Sequence, residues 1–122
     1  MRICQFSEIY CQGADDALQS FTSGKIVTIT HPQSVADGLL TAALGTLTFP
    51  IIKANVEAIV TVSEEEIKSA MKLMWERMKL VVEPSGAVAF SAVLADKLPK
   101  DVKRVGIVIS GGNVDLMKWR FE

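Results

Sequence analysis

Short runs of β-branched residues alternate with helical stretches along the whole sequence, and that alternation admits few architectures. Ala58-Ile59-Val60-Thr61-Val62 is the clearest strand, and Val105-Gly106-Ile107-Val108-Ile109 is a continuous apolar run between charged residues and Ser-Gly-Gly. The second run suits an interior strand. Residues 25–30 are rich in β-branched side chains, and residues 3–10 carry a weaker alternation. The order predicted is β-α-β-α-α-β-α-α-β-α. It implies an α/β fold with a partly parallel sheet and flanking helices.

Start and stop signals place the helices. A first helix over residues 14–23 carries Asp15 and Asp16 at its start, and Gly24 stops it. Ser34 is positioned to cap a helix running to about Leu44, closed by Gly45, and Pro50 suits the first turn of a short helix to Val56. Ser63-Glu64-Glu65-Glu66 reads as a capping box, in which hydroxyl and carboxylate satisfy each other's backbone amides. The helix that follows spaces Ile67, Ala70, Met71, Met74 and Met78 along one face, with Glu64/Lys68 and Lys72/Glu76 four apart on the other. Residues 84–97 predict a helix apolar nearly all round, hence buried between layers.

At 122 residues the chain makes one domain, and 49% hydrophobic against 22% charged residues is an ordinary globular balance. A formal charge of −1 gives no broad footprint for nucleic acid or an anionic membrane. No apolar run reaches membrane-spanning length. Cys4 and Cys11 lack disulfide-framework or metal-ligand spacing, so a cytoplasmic setting is expected.

Three segments carry candidate chemistry. Ser110-Gly111-Gly112-Asn113 follows a predicted interior strand, where ligands of open α/β sheets bind; it reads either as a ligand loop or as a plain glycine turn. Glu83-Pro84-Ser85-Gly86 sets a carboxylate and a hydroxyl at the start of the apolar helix. Glu83 is there either an acid/base or orienting group, or a complement to the helix dipole. Ala14-Asp15-Asp16 offers oxygen ligands to a divalent cation or, again, only dipole complementarity. His31, before a proline, reads as a turn residue.

Taken in order, Gly13-Ala-Asp-Asp16, Gln19-Ser20, Val35-Ala-Asp-Gly38, Trp75-Glu-Arg-Met-Lys79, Val82-Glu-Pro-Ser-Gly-Ala87 and Ile109-Ser-Gly-Gly-Asn-Val-Asp115 carry a resemblance. The chain resembles the C-terminal part of the pyridoxal-phosphate-dependent serine racemases and serine/threonine dehydratases, of the tryptophan-synthase-β-like group. The resemblance implies part of that group's large domain over residues 13–122, with residues 1–12 as an atypical segment. It also implies pyridoxal phosphate, a serine or threonine substrate, a homodimer, and racemisation or β-elimination of water after α-proton abstraction. Ser110 matches the serine facing the pyridine nitrogen, and Gly111 and Gly112 continue that motif. Gly38 and Glu83 match positions lining the cofactor ring. Ala14 and Asp16 match ligands of a structural Mg or Ca ion. Lys79 and Asn113 match positions that contact an activating nucleotide in the animal racemase.

The departures set a further expectation. None of the nine lysines lies in the family's Schiff-base context, and the glycine-rich phosphate loop has no counterpart. Tyr10 stands where the family has its third, acidic metal ligand. The chain is therefore expected to be a portion of the catalytic domain, inactive alone, with exposed apolar surface on 105–109 and on the 84–97 helix. The alternative is a non-catalytic small α/β ligand-binding or interaction domain with a closed sheet.

Overall fold

A computed structural model describes residues 5–121. Strand β1 (Phe6–Cys11) leads through a 3-10 turn (Gln12–Ala14) into helix α1 (Asp16–Ser23). After a long irregular stretch with one 3-10 turn (Asp37–Leu39) come α2 (Thr48–Asn55) and β2 (Val56–Val62). Helix α3 (Glu64–Leu73) runs into a π-helical turn (Met74–Met78), and α4 (Pro84–Leu94) follows. Strands β1 and β2 pair in parallel from Ser7↔Ala58 to Cys11↔Val62, with an irregularity next to Phe6. Parallel pairing requires a crossover between the strands, and the chain from α1 to α2 supplies it. The α/β class with a parallel sheet is as the sequence predicts.

One core joins the sheet to the helices: Cys11, Val62, Ile67, Val88 and Ala92 are buried together. A second gathers Met71, Met74, Val82 and Ala87, with Trp75, Phe90, Trp119 and Phe121 packed against it. The methionine stripe is therefore core packing at Met71 and Met74, while Met78 is exposed. The capping box forms: Glu66 N donates to Ser63 Oγ at 3.2 Å, and Ser63 N donates to Glu66 Oε2 at 2.7 Å. Lys97 completes it from beyond α4, its Nζ donating to Glu66 Oε2 at 2.6 Å and to Thr61 O at 3.0 Å. Gly24, at φ 73°, ends α1.

Several expected elements are absent among the described residues. Residues 25–30 form no strand; Val27 N donates to Ser20 Oγ and Ile29 N to Ala42 O, so these amides are used outside a ladder. The helix from Ser34 shrinks to Asp37–Leu39. Ser34 Oγ is engaged by Ala36 N and by Glu64, a local competitor to helix formation. Glu64 accordingly turns to the 34–35 loop, where Val35 N also donates to it at 2.8 Å, and not to Lys68. The short helix begins at Thr48, before Pro50, and the apolar helix ends at Leu94, short of 97. Residues 105–109 form no strand, and only turns follow them. Val108 is 81% exposed. A parallel interior strand needs a ladder neighbour on each side, and the described chain brings none to this run. The 84–97 helix is covered rather than open over most of its surface: Pro84, Gly86, Ala87, Val88, Ser91 and Ala92 are buried, and Leu94 is exposed. Cys4 and the first residues of the 3–10 run lie outside the described residues.

Candidate functional site

The start of α4 fixes the candidate site. Pro84 occupies the first helical turn, where its missing N–H costs nothing, and Glu83 precedes it in extended conformation. Glu83 N donates to Gly111 O at 3.4 Å, tying the 110–112 loop to the helix start. Glycine makes this approach possible. A Cβ at Gly86 would lie 2.3 Å from Ser110 O, and one at Gly112 would lie 2.8 Å from Val81 O. At Gly111, whose φ is +83°, a Cβ would meet the Glu83 carboxylate at 1.9 Å. At Gly86 and Gly112 the neighbours are backbone carbonyls that a Cβ would displace, and at Gly111 the positive φ itself favours glycine.

A third segment joins from the other side. Gly38, in the 3-10 turn Asp37–Leu39, donates its amide to Ser85 Oγ at 3.0 Å. The structure thus brings together Ser110, Gly111, Gly112, Gly38 and Glu83, which are spread over 75 sequence positions. Ser110, Gly111 and Gly112 are exposed and Glu83 is half-buried, leaving a hydroxyl, a carboxylate and bare backbone on an open cradle. Ser85 is the residue that sequence reasoning passed over as a link. Its place within Glu83-Pro84-Ser85-Gly86 was visible, but not its bond to Gly38.

Lys79 and Asn113 flank the cradle. Lys79 ends the π-helical turn at φ 58°, donates its Nζ to Glu76 O at 2.7 Å, and lies two residues before Val81, on which Gly112 packs. Asn113 follows Gly112 and is exposed.

Ala14 and Asp16 lie apart, in the 3-10 turn after β1 and at the start of α1. Both are fully buried, and neither carboxylate oxygen of Asp16 has a hydrogen-bond partner among the described residues. Burial pushes the Asp16 carboxyl above its ordinary range, with Asp15 adding to the rise. The nearby amides of Asp16 and Ala17 oppose it without reaching hydrogen-bond geometry. Tyr10 donates its hydroxyl to Glu8 Oε2 at 3.1 Å. Burial first, then the Glu8 carboxylate, and more weakly Asp16, hold that phenol well above its ordinary value. An orphaned carboxylate suits a cation, but it has little acidic side-chain company. Ca²⁺ takes six to eight oxygens, and among the described residues no group of three acidic, His or Cys side chains converges.

Two clefts lie elsewhere. One of about 360 Å³ is lined by Lys68, Lys72, Trp119, Arg120 and neighbours, and one of about 530 Å³ by β1, α4 and residues 102–108. Neither contains the cradle. No helix among the described residues is long and apolar enough to cross a membrane.

Residues 7–111 match the family model described as pyridoxal-phosphate dependent enzyme. The chain belongs to that family. It is 55% identical over 108 residues to a serine racemase of Dictyostelium discoideum, covering 85% of this chain and 33% of that protein. It is 43% identical over 116 residues to an L-threo-3-hydroxyaspartate ammonia-lyase of Saccharomyces cerevisiae, covering 95% of this chain and 36% of that one. In three dimensions it matches the maize serine racemase with a TM-score of 0.84 at 39% identity, over 93% of this chain and 36% of that one. The chain spans about a third of the length of the curated relatives it matches.

The racemases and ammonia-lyases among these relatives agree with the expected class of chemistry. For the cofactor, the residues present suit one side only. Ser110 and the glycine backbone offer a hydroxyl and close approach. The lysine context and phosphate loop that the family resemblance calls for are not among them.

Proposed function

We propose that this chain is the ring-facing portion of a pyridoxal-phosphate-dependent serine racemase or serine/threonine ammonia-lyase. The observation that carries this reading is the convergence of Gly38, Glu83 and Ser110-Gly111-Gly112 at the start of α4, where Gly86 and Gly112 lie too close to backbone carbonyls for a Cβ. The cofactor, when bound, supplies an electron sink that lets an amino acid lose its α-proton.

Within the chain, each residue has a part. The Ser110 hydroxyl presents a neutral hydrogen-bond partner to a ring nitrogen, and, unlike a carboxylate, does not hold that nitrogen protonated. Gly111 and Gly112 would let backbone approach the cofactor closely, and Gly38, bonded to Ser85, would line it from a separate segment. Glu83, held by its amide to Gly111, orients the loop and would offer the cofactor a carboxylate. The covalent lysine and the phosphate loop come from a part of the catalytic domain outside this chain, so these 122 residues are inactive alone. The substrate is a small hydroxy amino acid, and the assembled enzyme is a cytoplasmic homodimer. Lys79 and Asn113 form one wall of a nucleotide contact at its subunit interface.

A chimera tests the reading. This chain replaces the matching 108 residues of the Dictyostelium discoideum serine racemase. The chimera is expected to bind pyridoxal phosphate and act on serine, and Ser110→Ala is expected to lower turnover by roughly tenfold or more. A folded chimera that binds no cofactor, or a Ser110→Ala variant with unchanged turnover, contradicts it.

A further inference from the structure

Four of the chain's thirteen basic residues meet in one cleft that the cradle does not use. Lys68, Lys72, Lys118 and Arg120 line the cleft of about 360 Å³, with Trp119 and Phe121 as apolar walls. No acidic side chain of the described residues lines it. The fold supplies the cations from two directions. On α3, Ile67, Ala70 and Met71 are buried, which leaves Lys68 and Lys72, one helical turn apart, outside the core. Residues 118–121 alternate: Lys118 and Arg120 are exposed, while Trp119 and Phe121 are half-buried. Trp75 meets the Phe121 ring edge-on at 5.2 Å, and Trp119 stacks on it at 6.2 Å. All three rings pack against the core of Met71 and Met74. This aromatic anchor holds the second pair of cations beside the pair on α3.

Folding alone gives no reason for this arrangement. Like charges four apart on a helix are mildly destabilising. Lys118 has Asp115 at 3.9 Å, too far for a hydrogen bond. A chain of formal charge −1 that gathers four cations against apolar walls focuses positive potential in that one place. We propose that the cleft binds a small diphosphate. Two phosphate groups together carry about −3 to −4 at neutral pH, which the four cations match. The Arg120 guanidinium offers a planar fork of N–H donors that suits phosphate oxygens, and the three ammonium groups act as point charges around it. The cleft has the size of a small-molecule site, and the chain lacks the extended basic stripe that nucleic acid tracks. Lys79, Asn113 and the cradle residues do not line it, so this site is separate from the cofactor and nucleotide contacts and stands without them.

Calorimetric titration of the full chain with inorganic pyrophosphate at low salt tests this. One equivalent is expected to bind with a Kd below about 0.1 mM, and added sodium chloride weakens it. Lys68→Gln and Arg120→Gln, both at exposed positions that the fold does not need, each weaken binding by roughly tenfold. Lys68→Arg keeps most of it. Lys25→Gln, which removes the same charge from an exposed position outside the cleft, changes the affinity by less than about twofold. In the proton–nitrogen NMR spectrum pyrophosphate shifts the Trp119 indole more than that of Trp75, which donates to Val82 O at 3.0 Å and does not line the cleft. Adenosine diphosphate separates the two sources of this chemistry: weaker binding than pyrophosphate assigns the free anion, and equal or tighter binding assigns a diphosphate ester. Absence of binding by both overturns the proposal. So do equal losses in Lys25→Gln and Lys68→Gln, affinity indifferent to Arg120→Gln, or citrate binding as tightly as pyrophosphate. Pyridoxal phosphate enters none of these readouts, so failure here stays separate from failure of the ring-facing assignment.

Discussion

Ala58-Ile59-Val60-Thr61-Val62 and Val105-Gly106-Ile107-Val108-Ile109 are near-equivalent as sequence and opposite as structure. The first lies in β2, paired along its length with β1, with Ile59 and Val62 buried. The second has no ladder and leaves Val108 81% exposed. Strand propensity measures how well side chains fit a covered, pleated surface, and it becomes a strand only where that surface and a neighbouring backbone exist. β2 has β1 beside it and α1 and α4 packed against it. Residues 105–109 have an open groove.

Truncating the core under β2 sharpens this contrast most. Ile67→Ala removes a fully buried side chain from the cluster holding Val62, and a loss of about 2–5 kcal/mol is expected in urea unfolding. Val108→Ala is expected to change stability by less than about 0.5 kcal/mol. Equal losses at the two positions would erase the distinction between a covered and an uncovered run. Next comes the junction between the regions. Gly86→Ala drives a methyl into Ser110 O, and a cost of about 1–3 kcal/mol is expected as the 110–112 loop is pushed from α4. Ser63→Ala removes one half of the capping box and is expected to cost about 1 kcal/mol, lowering the melting temperature without changing exchange at 105–109.

Two carboxylates give the covered region an opposed pH dependence. Glu66 is pushed up by burial, but the Lys97 ammonium and the Ser63 amide more than offset that and leave it lowered. Its contribution is present above its ordinary 4.5 and is lost as pH falls through the lowered folded value. Asp16 is raised, so stability is fullest below its ordinary 3.8 and declines as pH rises through the raised folded value. Asp16→Asn is therefore expected to be more stable than the parent at neutral pH, with the gain vanishing in acid. Unfolding curves at several pH values check this, and a gain that persists in acid would mean charge is not the cause.

Local features were the legible ones. The capping box, the Gly24 stop, β2 and the Pro84 start each depend on neighbours within a few residues, and each forms where the sequence places it. What failed depended on remote partners. Residues 25–30 lost their amides to Ser20 and Ala42, and Ser34 was taken by Glu64 thirty positions away. The candidate site divides in the same way. Ser110-Gly111-Gly112 and Glu83-Pro84-Ser85-Gly86 were each readable as unusual loops. Their backbone contact, and the Gly38–Ser85 bond that closes the third side, arise only from the packing of α4. The orphaned carboxylate of Asp16 could not be foreseen, since two acids at a helix start look identical whether solvated or buried.

On the proposed reading the ring-facing cradle lies on this chain and the lysine that anchors the cofactor does not. Incubation of the 122-residue chain with pyridoxal phosphate, borohydride reduction and peptide mass spectrometry test it directly. No specific lysine adduct is expected from the chain alone. A stoichiometric adduct at any one of its nine lysines would contradict the account.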